Sequence, residues 1–246
     1  MAIFMRKLTG AAVLLFWIAL WQAAGMIIAN PLILPTPVQA VSLLFKLLPQ
    51  ADFWRDIGHT LFRVAAGLSL SIVAGVLIAL LAHKSGLAYH LIRPIMSTVK
   101  TVPVMSLILL FLVFMRSPVV PVAICVMACL PIVFTNIYEA LNNVDKKLIE
   151  MGKTFGLSAQ KTFFKVIAPQ IKPYFSSAVM LCAGFSWKTV VTAEVLSIPA
   201  SSIGFNLYLS KTYLDTPLLF AWTIAIIVIS VIIEKAIKAA LRGDRL

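Results

Sequence analysis

Residues 150–169 read "EMGKTFGLSAQKTFFKVIAP", and they match neither side of the chain around them. The stretch holds four charged side chains, two glycines and a terminal proline. Its neighbours, 119–140 and 174–198, are apolar runs long enough to cross a bilayer. Across all 246 residues, 61% are hydrophobic and 12% charged, and the mean hydropathy is +1.00. A soluble domain carries about 25% charged residues. A chain this apolar has more greasy surface than a core of its size can hide, so its solvent is lipid. The reading is an all-α, polytopic membrane protein with a polar segment between two spans.

A spanning helix needs about 20 apolar residues. Six candidates follow, at about 8–29, 57–82, 91–115, 119–140, 174–198 and 217–239. Arg93, Pro94, Lys100 and Pro103 crowd the start of the third, so it begins as a tilted or broken helix and spans only from about Thr101. The first has the positive start of a signal peptide in Arg6-Lys7. It also contains Trp17 and Trp21 and runs without charge to Phe45, which reads as an uncleaved first helix. The whole of 1–246 reads as one transmembrane domain.

The net charge of +12 belongs to membrane faces and gives no reason to expect nucleic acid. With six spans the termini share a side, and that side holds fifteen of the 21 Lys and Arg residues. The other six are Lys46, Arg55, Arg63, Arg116, Lys188 and Lys211, outside or within spans. The positive-inside rule then puts both termini and the 141–173 loop in the cytoplasm. On the outer side, "VQAVSLLFKLL" after Pro37 has apolar residues at helical spacing and reads as an interfacial helix.

The 141–173 loop has internal order. Asn143 or Asp145 suits an N-cap, Gly156 suits the left-handed position closing a first short helix, and Ser158 suits the cap of a second. The second runs from about 159 to 167 and ends near Pro169, with Phe163, Phe164 and Ile167 apolar and Lys161 and Lys165 polar. Physics alone leaves two readings: an amphipathic loop on lipid headgroups, or a greasy surface awaiting a partner.

The spacing resembles the "EAA" loop of ABC importer permeases. That family's pattern is Glu-Ala-Ala, three residues, Gly, nine residues, then Ile-x-Leu-Pro. Glu150, Gly156 and Pro169 stand at those intervals, while Met151, Gly152, Val166 and Ala168 depart from it. "HTLFRVAAGLSLSIVAGVLIAL" (59–80) resembles the opening of the permease core, and "PIVFTN" (131–136), "SWKTVVTAEVL" (186–196) and "LILPTP" (32–37) resemble the branch serving sulfonates, taurine, nitrate, bicarbonate and thiamine-precursor pyrimidines. The matches cover about residues 30–240.

The resemblance implies a type I importer permease fold in the inner membrane. It implies coupling helices at Glu150, Gly152, Gly156, Leu157, Ser158 and Pro169, seated on cytoplasmic ATP-binding subunits. ATP and Mg would sit on those subunits, with no cofactor in this chain. Further implied partners are an external or periplasmic substrate-binding protein and a second permease copy, by default identical. The chain contains no G-x-x-x-x-G-K-[ST] phosphate loop: Gly152-Lys153-Thr154 lacks the required upstream glycine.

Charges inside a membrane are costly and mark function. Lys188 and Glu194 stand in the fifth span, six positions and thus about 120° apart, so they are poor partners for each other. Trp187, Val191 and Glu194 share a face. Glu194 has three readings: lining the pathway, contacting another protomer, or standing in water near the outer end. Lys188 either helps pass an anion, snorkels, or pairs with another helix. Pro103 breaks the third span, Pro131 kinks the fourth, and Asn136 is placed to bond across helices. By the resemblance these segments border the pathway.

Cys125, Cys129 and Cys182 lie in apolar runs without His or acid at ligand spacing, and His59, His83 and His90 are scattered, so no metal site is expected. An intramembrane enzyme would need clustered catalytic groups, and neither H-E-x-x-H nor G-x-S-x-G is present. A self-sufficient secondary transporter would leave the 150–169 stretch without a purpose.

Overall fold

A computed structural model describes the backbone of residues 2–242 and the side chains of residues 12–239. Eleven α-helices occur among the described residues: α1 (Ala2–Ile28), α2 (Pro37–Leu47), α3 (Ala51–Lys84), α4 (Gly86–Thr101), α5 (Val104–Phe114), α6 (Val120–Asn142), α7 (Lys146–Thr154), α8 (Ala159–Thr162), α9 (Ala168–Ser197), α10 (Ile203–Thr212) and α11 (Thr216–Arg242). The Arg6, Lys7, Arg242 and Arg245 side chains used in the orientation argument lie outside the described residues.

The core is a three-helix stack of α3, α6 and α9, and small residues bring the backbones together. A Cβ on Gly67 would sit 2.6 Å from Cys125 Cβ, and one on Gly75 would sit 2.7 Å from Val133 Cβ. Both glycines face α6 in the same order along the two helices, so α3 and α6 run parallel. On the other side of α6, Cys129 Sγ donates to the Cys182 carbonyl at 3.8 Å and Cys182 Sγ to the Cys129 carbonyl at 3.6 Å. In lipid, with no hydrophobic force between helices, such close small-residue packing is what holds spans together. The three cysteines are packing residues, all free and buried. Among the described residues no group of His, Cys, Asp or Glu could hold a metal ion.

Among the described residues, four helices are long and apolar enough to cross a membrane, and a bent pair brings the number to five. Of the six expected spans, the second, fourth, fifth and sixth correspond to α3, α6, α9 and α11. The first falls within α1, whose side-chain-described apolar part is Ala12–Ile28.

The third expected span, 91–115, is not one helix: α4 and α5 meet at 106°. Pro103 is the reason. It has no N–H to continue α4 and forces Val102 into an extended conformation (ψ 130°). Tyr89 stacks on Tyr138 and Lys100 reaches Thr135, so eleven residues of α4 advance only three along α6. The helix therefore lies across the bundle at the end carrying the 141–173 loop. α5 has only 11 residues, about 16 Å, roughly half of a bilayer's hydrocarbon thickness.

At the opposite end, α2 begins with a reciprocal cap. Thr36 Oγ1 accepts from the Gln39 N–H and Gln39 Oε1 accepts from the Thr36 N–H, with Pro37 in the first turn. α9 stops where Ile198 adopts a left-handed conformation (φ 51°) just before Pro199. The connection that follows folds back: α10 buries Ile203, Gly204 and Ser210 against the bundle.

Candidate coupling surface and buried polar site

At the loop end, each turn has a local cause. Asp145 is the residue that caps α7, its Oδ1 accepting from the Lys147 N–H at 2.8 Å. Gly156 has φ +70°, which only glycine adopts freely. Its N–H donates to the Lys153 carbonyl, and the Leu157 N–H to the Gly152 carbonyl, both at 3.0 Å. Those two bonds are the Schellman closure of α7. Ser158 Oγ accepts from the Lys161 N–H and so starts α8. Gly152 is buried against Leu157 and Thr162, while Glu150 stands in solvent.

One expectation is corrected. The second short helix does not end near Pro169. The chain winds from α8 through a π-helical turn (Phe163–Ile167) straight into α9, a continuous helical rod over Ala159–Ser197. A proline in a regular α-helix clashes with the carbonyl four residues back. Here the Ala168 N–H reaches five residues back to the Phe163 carbonyl, and the widened turn admits Pro169.

The helix–turn–helix exposes apolar surface: Phe155 is 78% exposed and Phe164 63%, with Met151 and Phe163 about half exposed. Phe163, Phe164 and Pro169 also edge an open groove of about 680 Å³ together with Phe175 at the base of α9.

At the opposite end the polar groups are buried. Glu194 on α9 is wholly inaccessible. Its Oε1 accepts from Arg63 Nη1 at 2.7 Å. Its Oε2 accepts from Thr60 Oγ1 at 2.9 Å and from the Gly204 N–H at 3.2 Å. Thr60 Oγ1 also accepts from the Ile203 N–H, and Arg63 Nη1 donates to the Ser201 carbonyl. Next to this cluster, Asn206 Nδ2 donates to Asp56 Oδ2 at 2.6 Å, and Ser117 Oγ donates to the Ser197 carbonyl. α3, α9 and α10 are thus tied through one carboxylate. A Cβ on Gly204 would stand 2.3 Å from Glu194 Cβ, so any side chain there would push α10 away from α9.

The five membrane-embedded residues picked from sequence do not form one cluster. Glu194 and Trp187 are both buried, Glu194 between α3, α9 and α10, and the Trp187 indole N–H has no partner among the described residues. Lys188 points the other way and is exposed. Pro103 caps α5 at the bend. Asn136 does not bond across helices: its Nδ2 donates to the Ile132 carbonyl of its own helix at 2.9 Å. Sequence reasoning missed Arg63, Thr60 and Gly204. The available signal was one unpaired Arg in the second span and one unpaired Glu in the fifth.

Comparison with known proteins agrees with this geometry. The fold is similar to the MetNI methionine ABC transporter in inward-facing conformations, with a TM-score of 0.62, 15% identity, and 78% of this chain and 95% of that chain covered. A Bacillus subtilis permease named for aliphatic sulfonates transport, SsuC, is 24% identical, covering 90% of this chain and 80% of its own length. The formylaminopyrimidine transport permease ThiX of Halalkalibacterium halodurans is 24% identical, covering 91% and 89%. The nitrate import permease NrtB of Leptolyngbya laminosa is 27% identical, covering 67% and 58%. Residues 71–240 match the family described as binding-protein-dependent transport system inner membrane component. That match spans more than half of the chain, and the chain belongs to the family of binding-protein-dependent transport system inner membrane components.

Proposed function

We propose that this chain, acting as one domain over 1–246, is the permease subunit of an ATP-driven importer and moves a small solute delivered by an external binding protein. The observation that carries the reading is the rod from α8 through the π turn into α9. It joins an exposed apolar tip to a membrane-spanning helix with no flexible link between them. A 39-residue helical rod is about 58 Å long, so displacement of its tip is transmitted to its transmembrane part.

In this reading α7 and α8 seat in a groove of a cytoplasmic ATP-binding subunit, with Phe155, Met151 and Phe164 filling it. Glu150 and Lys153 contribute at the rim. Gly156 sets the angle between the two short helices, Gly152 and Leu157 hold them together, Ser158 starts α8, and Pro169 lies where the rod enters the bundle. ATP and Mg bind the partner subunits, which carry out hydrolysis. The greater share of Lys and Arg at the loop end supports a cytoplasmic loop and cytoplasmic termini. α2 and α10 then face outward toward the binding protein. Two copies of this chain complete the pathway.

The test is co-purification. Co-expressed with the ATP-binding subunit from its own gene neighbourhood and solubilised gently, the tagged chain retains that subunit, and Phe155→Asp releases it while the chain stays in the membrane. Absence of the subunit from the intact wild-type preparation contradicts the proposal.

A further inference from the structure

α7 touches the rod formed by α8, the π turn and α9 at two points. At its start, the Asp145 N–H donates to Gln170 Oε1 at 3.0 Å. Near its end, Gly152 is buried against Thr162, where an added Cβ would stand 3.7 Å from Thr162 Oγ1. α7 therefore runs antiparallel to the rod. Asp145 and Gly152 are seven residues apart, close to two turns of helix, so the two contacts leave one side of α7 about 10 Å apart.

The matching points on the rod, Thr162 and Gln170, are eight residues apart. In a regular α-helix they would stand about 80° apart around the axis, and one straight α7 could not meet both. The π turn over Phe163–Ile167 lies between them. Its bond from the Ala168 N–H to the Phe163 carbonyl spans five residues where an α-helix spans four, so one residue is taken up without advancing the winding. Eight residues then wind as about seven, and Thr162 and Gln170 come within about 20° of each other. The turn brings the two sides of the hairpin into register.

Two residues hold the turn open. Regular α winding would drive the Pro169 ring into the Lys165 carbonyl four residues back. Gln170 Nε2 donates to the Val166 carbonyl inside the turn at 2.9 Å, while the oxygen of the same amide takes the Asp145 N–H. One side chain thus ties the turn to the start of α7. We infer that Pro169 and Gln170 are positioning residues for coupling: they fix the π turn, and the turn sets the direction in which the apolar tip points around the α9 axis. With the turn wound as α-helix, everything before it would rotate by about 100° relative to α9, carrying Phe164 to another side of the rod. The inference rests on the importer reading, which supplies a partner for the tip. It goes further in assigning what aims that tip.

The test co-expresses the complete chain with the ATP-binding subunit from its own gene neighbourhood and reads the subunit retained per chain in mild detergent. Pro169→Ala removes the clash and lets the turn close to α-helix. It lowers retention about tenfold, the scale of losing one well-placed interface side chain, while the chain stays in the membrane. Deleting the exposed Lys165 from that variant removes the residue that the turn took up. A regular α-helix then sets Thr162 and Gln170 seven residues apart, and retention returns to within about twofold of the unsubstituted chain. A loss that was merely structural would not be repaired by a deletion. If the deletion variant does not accumulate, Gln170→Met is read in its place: it loses both amide bonds and lowers retention about threefold. Full retention by Pro169→Ala or by Gln170→Met, or no recovery in a deletion variant that accumulates, overturns the inference. Each of those results leaves the importer reading standing, because the unsubstituted chain still holds the subunit. Absence of the subunit from the unsubstituted chain overturns both.

Discussion

At the end away from the 141–173 loop Glu194 is wholly buried and receives three donors; at the loop end Glu150 stands in solvent and receives none. The buried site is over-determined: α3, α9 and α10 converge on one carboxylate, and the two faces of Thr60 Oγ1 are both used. The loop end is held by local turns, with its greasy side chains left uncovered. A buried ion pair in lipid holds one arrangement because every alternative strands a charge. A surface built from caps and exposed phenylalanines is finished by something else. The difference separates a part that preserves the fold from a part that, in the proposed reading, meets a partner.

The largest effect should come from breaking the buried Arg63–Glu194 pair. Arg63→Met leaves a buried, unpaired carboxylate and should cost about 3–5 kcal/mol, read as a lower midpoint of denaturant-induced unfolding in mild detergent. Arg63→Met with Glu194→Gln should recover most of the loss. If the double variant is as unstable as the single one, the pair is not the source of the stability. Next comes Gly204→Ala. The new Cβ meets both Glu194 Cβ and the Glu194 backbone at under 3 Å, so α10 must shift, at about 1–3 kcal/mol by the same assay. The smallest is Gly152→Ala at the loop end. Its Cβ would meet Leu157 Cδ1 at 3.4 Å, ordinary contact, and alanine favours helix. Stability should stay within about 1 kcal/mol, with the ATP-binding subunit retained. A large loss there would mean that α7 packs more tightly than this geometry allows.

These contrasts also mark what the sequence discloses. The helix–turn–helix was legible because its determinants are local: Gly156, Ser158 and Asp145 act within four residues of themselves. The spans were legible from length and apolarity. The buried polar site was not, because Arg63 and Glu194 are 131 residues apart and nothing local says which charges meet. Gly204 reads as an ordinary loop glycine until α9 is placed beneath it. Pro103 signalled the break in the third span, but the crossing of α4 over α6 depends on Tyr89 and Tyr138 stacking, a pairing that neither helix encodes alone. Pro169 misled because the usual rule stops a helix there, and the π turn before it is invisible in composition.

The most direct measurement is retention of the ATP-binding subunit, with ATP-driven solute uptake, by Glu150→Lys and Gly156→Asp. Gly156 has open space around it, so a side chain there disturbs the bend and the surface but not the bundle. The account predicts that both variants insert and unfold as the unsubstituted chain does, while subunit retention weakens and uptake is lost. Normal retention and uptake by both would contradict the claim that this helix–turn–helix is where ATP hydrolysis is coupled to the membrane helices.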